Sequence, residues 1–152
     1  MELDQFDRLL LNLVQEDAAR TAESMAEEVA LSVSAIQRRL RRMREMGIIE
    51  RDVALIDPTK IYPSTTFVVS VQIERENLTL LAQFRSWLIE QKQVQQAFYV
   101  TGEADYLLVV TAPSAEDYED FMVRMVSNNP KVKRLTTNVV MNTVKRGLTI
   151  PV

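Results

Sequence analysis

The chain has 152 residues, a formal net charge of −3 and 47% hydrophobic residues, which predicts one globular domain, or two small ones, with an ordinary apolar core. It contains neither cysteine nor histidine, so disulfides, Cys/His zinc sites, thiol nucleophiles and histidine bases are excluded. No apolar run approaches the roughly 18 residues of a membrane span, and the acidic first residues do not resemble a signal peptide. We therefore expect a cytoplasmic binding protein, not an enzyme, that holds no metal and no other cofactor.

Three helices are predicted in the first third of the chain. Apolar residues at three-and-four spacing predict the first over residues 4–15. Thr21 is a suitable N-cap for the second helix. The third runs over residues 32–46, with its first residue, a serine, as N-cap and Gly47 as a left-handed C-cap. Two short β-prone pieces follow over residues 48–56, as in the wing of a winged helix-turn-helix domain.

The second half of the chain predicts a β-α-β-β-α-β order, which is typical of a ferredoxin-like unit with both helices on one face of an antiparallel sheet. The fold class is therefore α+β, with an N-terminal winged helix-turn-helix domain. The other face of the first strand is polar enough to contact water, although Val68 on it suits a sheet-on-sheet dimer interface. The predicted elements are strands over 65–74, 94–101, 105–112 and 132–145, a helix over 77–91, and a helix capped by Pro113-Ser114. The predicted domains are 1–50, a hinge over 51–64, 65–145, and a C-terminal tail over 146–152.

The third helix carries five arginines and a single glutamate, which makes it the most positive stretch of the chain. With Ile36 at the centre of the buried stripe, a step of about 100° per residue turns several polar residues outward. This arrangement is typical of a helix that enters the major groove, although most arginine-rich helix faces are merely solvated. Arg39 lies on the flank of the buried stripe, where a structural role is an alternative to DNA binding. The candidate DNA-binding residues are Ser34, Gln37 and Arg38 for bases, Arg41 and Arg42 for phosphates, and the caps Thr21 and Ser32.

The sequence also resembles the Lrp/AsnC (leucine-responsive, feast/famine) family of transcription regulators over nearly its whole length. It differs at Tyr62-Pro63, where that family commonly has a glycine, and at residues 17–20, where a glycine or asparagine is frequent. The resemblance is carried by Leu3-Asp4-x-x-Asp7, Leu31-Ser32-x-x-x-Ile36-x-Arg38-Arg39-Leu40, Gly47-Ile48-Ile49, Asp57-Pro58, Thr101-Gly102-x-x-Asp105-Tyr106-Leu107-Leu108, and Val139-Val140-Met141-x-x-Val144-Lys145.

The resemblance implies a DNA-binding domain followed by a ligand-sensing domain that forms homodimers and, in some assemblies, octamers. It also implies that a small molecule, usually an amino acid, binds between the second domains. Gly102 would let a carboxylate approach the backbone, and Asp105 would receive an ammonium group. An ordinary turn in which Asp105 bonds its own backbone is the alternative. The effector-binding residues that the resemblance implies are Thr101, Gly102, Glu103, Ala104 and Asp105, with Thr136, Asn138, Val139 and Val140 from a facing strand.

Two other functions are open at this point. One is an amino-acid sensor that acts through protein partners. The other is a siroheme decarboxylase, since those enzymes are built on a similar pair of domains. The absence of histidine, the expected proton donor in such an enzyme, counts against the second.

Overall fold

The computed structural model describes residues 2–74 and 78–152, and the chain forms two compact units. The helical unit contains the residues up to Ile56 together with the last eight, Lys145–Val152, and the α+β unit is Asp57–Val144. Within the described residues, no helix is long and apolar enough to cross a membrane.

The helical unit contains the three predicted helices: α1 (Gln5–Glu16), α2 (Ala22–Val29) and α3 (Val33–Glu45). Each begins where a polar side chain accepts a hydrogen bond from a backbone N–H of the first turn, which satisfies a donor that the helix cannot pair itself. Asp4 caps α1 in a reciprocal pair with Asp7, whereas Thr21 caps α2 and Ser32 caps α3 as predicted. Leu10, Met25, Ile36 and Met43 are among the residues that close the core between the helices.

Two left-handed residues set the helix ends. Ala30 follows α2 with φ 55°, and this forms the corner of the helix-turn-helix. Gly47 follows α3 with φ 70°, as predicted. Its N–H donates to the Arg44 carbonyl at 3.0 Å, and the next N–H donates to the Met43 carbonyl at 2.9 Å. This is the Schellman pattern, in which a left-handed residue lets two later N–H groups satisfy the last carbonyls of a helix.

The predicted β-prone pieces after α3 do not form a hairpin. Residues 50–57 form neither helix nor strand, and Val53, Leu55 and Ile56 are exposed. Strand propensity reflects packing on a pleated surface, and this segment has no strand partner within the described helical unit. A short 3-10 turn, Pro58–Lys60, begins the α+β unit.

The α+β unit has the predicted ferredoxin-like order. Its four strands lie in the order β2-β3-β1-β4, and every neighbouring pair is antiparallel. The predicted start of the first helix in this unit, at residue 77, lies outside the described residues. The elements are β1 (Thr65–Ile73), α4 (Leu78–Glu90), β2 (Val94–Tyr99), β3 (Tyr106–Ala112), α5 (Ala115–Asn128) and β4 (Val132–Val139).

Alternation along the two central strands gives the sheet one buried and one outer face. Phe67, Val69 and Val71 on β1 pack with the buried residues of β3 and with Phe84 and Phe121 from the helices. The prediction that β4 continues to residue 145 is wrong, because the strand ends at Val139. Val139 lies opposite Phe67 and β1 begins at residue 65, so this register leaves no partner on β1 for residues beyond 141.

Candidate DNA-binding and effector sites

The outer face of α3 presents the side chains that the sequence assigned to DNA bases. Ser34, Gln37 and Arg38 are exposed, and Arg41 is exposed one turn beyond Gln37. The opposite side of the helix is fixed in the core by three buried residues, Ile36, Leu40 and Met43. The helix therefore cannot rotate about its axis without exposing this apolar stripe.

Two other arginines of α3 bind inside the protein. Asp7 is 1% exposed, yet its carboxylate has two cationic partners. Arg39 Nη1 lies 2.8 Å from Asp7 Oδ1 and 2.7 Å from Asp4 Oδ2, and Arg42 Nη2 lies 2.8 Å from Asp7 Oδ2. The hydrogen bond to Asp7 raises the pKa of the Arg39 guanidinium, and the Asp4 carboxylate adds to this effect.

This network corrects the expected orientation of Arg42. The helical periodicity directs Arg42 outward to phosphates, but the structure turns its guanidinium to the buried carboxylate of Asp7. An isolated buried carboxylate is costly, and the two arginines together compensate the charge of Asp7, one at each of its oxygens. Arg39, which the periodicity left open to a structural role, is also held there.

Arg38 and Arg41 differ from the other arginines of α3. Within the described residues neither has an ion-pair partner, whereas Arg44 pairs with Asp52 at 3.1 Å. An exposed pair of that kind contributes little stability and is readily exchanged. The candidate residues Thr21 and Ser32 serve as helix caps, so their hydroxyls already accept a backbone hydrogen bond.

An open groove of about 470 Å³ lies between α2 and α3. Its apolar floor includes Met25 and Leu40, and three arginines surround it: Arg20, Arg41 and Arg44. Arg20 also forms an ion pair with Glu28. Sequence reasoning did not select Arg20, although its position directly before the N-cap of α2 places it beside the start of that helix.

The predicted effector turn connects β2 to β3. Thr101, Gly102 and Glu103 are exposed, and Ala104 is half-buried. Gly102 has φ 120°, a conformation that side chains with a Cβ rarely adopt. The Gln72 side chain donates to the Glu103 carbonyl at 2.6 Å, and this bond ties the turn to β1.

Asp105 is buried and one of its carboxylate oxygens is bonded within the fold. It is 3% exposed, and its Oδ2 accepts from the Ile73 N–H at 2.8 Å. Its N–H donates to the Val71 carbonyl at 2.9 Å. The residue joins the start of β3 to the end of β1.

The second set of predicted effector residues lies on β4. Thr136 and Asn138 pair with Ser70 and Val68, so they share the outer face of the sheet. Val139 falls on the helix-facing side but is 53% exposed at the sheet edge.

Val139 and Val140 lie towards the opposite end of β1 from the turn, whereas Thr136 pairs with Ser70, next to the Val71 end. The N–H of Val140 donates to the Thr66 carbonyl, whereas Asp105 bonds the Val71 carbonyl. Those two positions on β1 are about 17 Å apart at the usual rise of a strand. One copy of the unit therefore does not bring the turn and the end of β4 together.

Comparison with known proteins agrees with this division of the chain. Residues 3–50 match the family model described as winged helix-turn-helix DNA-binding, and residues 66–150 match the Lrp/AsnC ligand binding domain. The chain is 41% identical over its full length to the HTH-type transcriptional regulator y4tD of Sinorhizobium fredii, of which it covers 90%. It is 30% identical to the DNA-binding transcriptional activator DecR of Escherichia coli, over 99% of each chain.

Solved structures show the same architecture. An AsnC family transcriptional regulator from Agrobacterium tumefaciens superposes with a TM-score of 0.90 at 30% identity, over 97% of this chain and 96% of that one. A transcriptional regulator from Neisseria meningitidis, solved as a complex with L-Met, gives 0.91 at 25% identity, over 99% and 97%.

The fold and these matches define a DNA-binding transcription regulator of the helix-turn-helix class, with a ligand-binding domain as its second unit. More specifically, the chain belongs to the Lrp/AsnC family. That family and these relatives are transcription regulators and not enzymes, so the enzymatic alternative is set aside.

Proposed function

We propose that the helical unit binds duplex DNA through the outer face of α3, with Ser34, Gln37 and Arg38 at base edges and Arg41 at a phosphate. The observation that carries this proposal is the pairing of the arginines. Two of the five bind Asp7, and a third pairs with Asp52. Arg38 and Arg41 remain unpaired within the described part of the chain, on the same exposed helix face.

A local concentration of positive charge is what an acidic protein needs to bind DNA. Arg41 and Gln37 also line the groove between α2 and α3, whose edge carries Arg20. We place a DNA phosphate at the mouth of this groove, next to the capped N-terminus of α2, because backbone N–H groups at helix starts favour anions. Thr21 and Ser32 contribute by fixing those two helix starts.

The experiment is a DNA-binding titration with a duplex selected from genomic fragments. Replacing Arg38 and Arg41 together by alanine should weaken binding by roughly tenfold or more, since guanidinium contacts to bases or phosphates are lost. The matched control is Arg8→Ala, which removes the same charge from an exposed position of α1. Binding by the double variant equal to that of the parent would refute the assignment.

We further propose that two copies of the α+β unit pair through the outer faces of their sheets and bind an amino acid between them. Support comes from two apolar pairs on that face, where Val68 lies opposite Val109 and Phe98 lies opposite Leu107, with Phe98 51% exposed. A twofold axis across the strands would bring the Gly102 turn of one copy towards the β4 end of the other.

In this second proposal, exposed polar groups from both copies contact the amino acid. Thr101, Glu103 and the backbone of Gly102 are exposed on one copy, and Thr136 and Asn138 are exposed on the other. Asp105 holds the turn in place. The relative solved with L-Met supports an amino-acid ligand.

A thermal-shift screen of the twenty amino acids tests the effector. A ligand that binds the native state raises the melting temperature by mass action. The Gly102→Val variant strains a position with φ 120° and should abolish the shift. Sedimentation of the parent and a Phe98→Glu variant tests the pairing, because a buried charge on the shared face should yield monomers.

A further inference from the structure

The last residues of the chain dock on the helical unit. Gln15 Nε2 donates to the Ile150 carbonyl at 3.1 Å, and the Ile150 N–H donates to Gln15 Oε1 at 2.8 Å. One side-chain amide thereby satisfies both backbone groups of one extended residue, as a neighbouring strand would. Such bonds select an extended backbone and not a particular side chain.

A second contact anchors the end of the chain. Val152 is partly buried and packs against the core of the helical unit. Further back, Arg146 Nη1 donates to the Ile56 carbonyl at 3.1 Å. Three contacts therefore hold residues 146–152: the backbone bonds of Ile150, the apolar packing of Val152 and the hydrogen bond of Arg146.

The sequence prepares this segment to dock. Pro151 biases Ile150 to an extended conformation, which lowers the entropy lost when the segment is ordered. Proline also lacks an N–H, so the residue between the two anchors leaves no donor unsatisfied.

We propose that residues 146–152 form a strap that the helical unit binds as a peptide ligand, and that this strap supports the DNA-binding helices. The chain leaves the helical unit after Ile56 and re-enters it at Lys145. The unit is thus connected to the rest of the protein at two points of the chain. The strap binds α1, the helix whose Asp7 holds two arginines of α3.

Hydrogen exchange with mass spectrometry on the full chain tests the docking. In the parent the amides of residues 148–152 should include one protected site, the N–H of Ile150. Gln15→Leu and Val152→Asp should each release it, with exchange faster by about tenfold, the factor expected for one lost hydrogen bond. Two matched controls should leave it protected: Asn12→Leu on the same helix, and Leu148→Asp on the same strap, where the side chain is 73% exposed.

Exchange of the Ile150 amide at the free-peptide rate in the parent would overturn the proposal. Protection that disappears on dilution would also overturn it, because the segment would then dock on a second copy. Neither result depends on DNA.

The supporting role, which rests on the proposed DNA-binding face, is tested separately. Val152→Asp should weaken binding to the selected duplex several-fold while leaving the dependence of binding on salt unchanged, since no phosphate contact is removed. Equal affinity of Val152→Asp and Leu148→Asp would show that the strap does not support DNA binding.

Discussion

Asp7 in the helical unit and Asp105 in the α+β unit are the two buried charged residues of the described chain, and they have different kinds of partner. Asp7 binds two guanidinium groups from α3, 32 and 35 residues away in sequence. Asp105 accepts from the backbone N–H of Ile73 on the neighbouring strand. In each unit an internal contact involves a group that the sequence predicted to bind a ligand: the Arg42 guanidinium at Asp7, and the Asp105 carboxylate itself.

Both candidate sites contain one group that already has an internal partner. The Arg42 guanidinium, predicted to meet a phosphate, binds Asp7, and one oxygen of the Asp105 carboxylate, predicted to receive an ammonium group, accepts from Ile73. Most of the other candidates are exposed, and among them Thr21 and Ser32 also cap helices. If the comparison is correct, each buried carboxylate should matter more for stability than for ligand affinity.

The largest expected effect is that of Asp7→Ala. It removes the buried anion shared by Arg39 and Arg42, and breaking a buried pair costs about 3 kcal/mol or more of unfolding free energy. Urea unfolding followed by far-UV circular dichroism should show an early loss of helix. Trp87, the single tryptophan, packs against the core of the α+β unit and should report an unchanged second transition. Glu27→Ala, at an exposed position of α2, is the control. If Asp7→Ala lowered the unfolding free energy no more than Glu27→Ala does, Asp7 would not have the stabilising role proposed for it.

Asp105→Ala should lower the unfolding free energy of the α+β unit by about 2 kcal/mol, because the buried N–H of Ile73 loses its acceptor. Trp87 fluorescence follows this transition. Asp105→Asn keeps a carbonyl acceptor of the same size, so its unfolding free energy should fall clearly less than that of the alanine variant. Unchanged stability in the alanine variant would contradict a structural role and would favour ligand binding by Asp105.

Ala30→Gly should stabilise the helical unit by about 0.5 kcal/mol. A left-handed conformation costs a residue with a Cβ about 1 to 2 kcal/mol, and the greater chain entropy of glycine offsets part of this gain. Ala26→Gly, inside α2, is the control and should destabilise by about 1 kcal/mol. The same sign of effect in both variants would contradict the corner geometry.

The smallest expected effect is the pH dependence that Asp4 contributes. The backbone bond from Asp7 and then the Arg39 guanidinium hold the pKa of the Asp4 carboxyl below its usual 3.8. A lowered folded-state pKa gives a contribution that is fully present well above 3.8 and is lost as pH falls through the lowered value. Asp4→Asn keeps a good N-cap but removes the charge. The melting-temperature difference between parent and variant should therefore be constant above about pH 5 and shrink towards pH 2. A difference that grows on acidification would contradict the sign.

The sequence was sufficient wherever local pattern determines structure. The caps Thr21 and Ser32, the stop at Gly47 and the alternation along β1 are properties of neighbouring residues, and the structure has all of them. The bond of Arg42 to Asp7 was not predictable by periodicity, because a helical wheel gives the direction of a side chain and not its partner on another helix.

The same limit applies to the other differences. The segment over residues 48–56 has strand propensity, but its described part has no neighbouring strand to pair with. The start of β1 limits how far β4 can continue, and the composition of β4 carries no information about that limit. The docking of residues 146–152 joins Gln15 to Ile150, which are 135 positions apart, so no local pattern predicts it.

The most direct test of the central claim, that the unpaired arginines of α3 face DNA while the paired ones hold the fold, is the salt dependence of binding. The slope of log affinity against log salt falls by about 0.9 for each phosphate contact removed. We predict that Arg41→Ala lowers the slope by about one such step. Arg42→Ala should lower the thermal stability of the helical unit and leave the slope unchanged. A slope that falls in Arg42→Ala and not in Arg41→Ala would contradict the account.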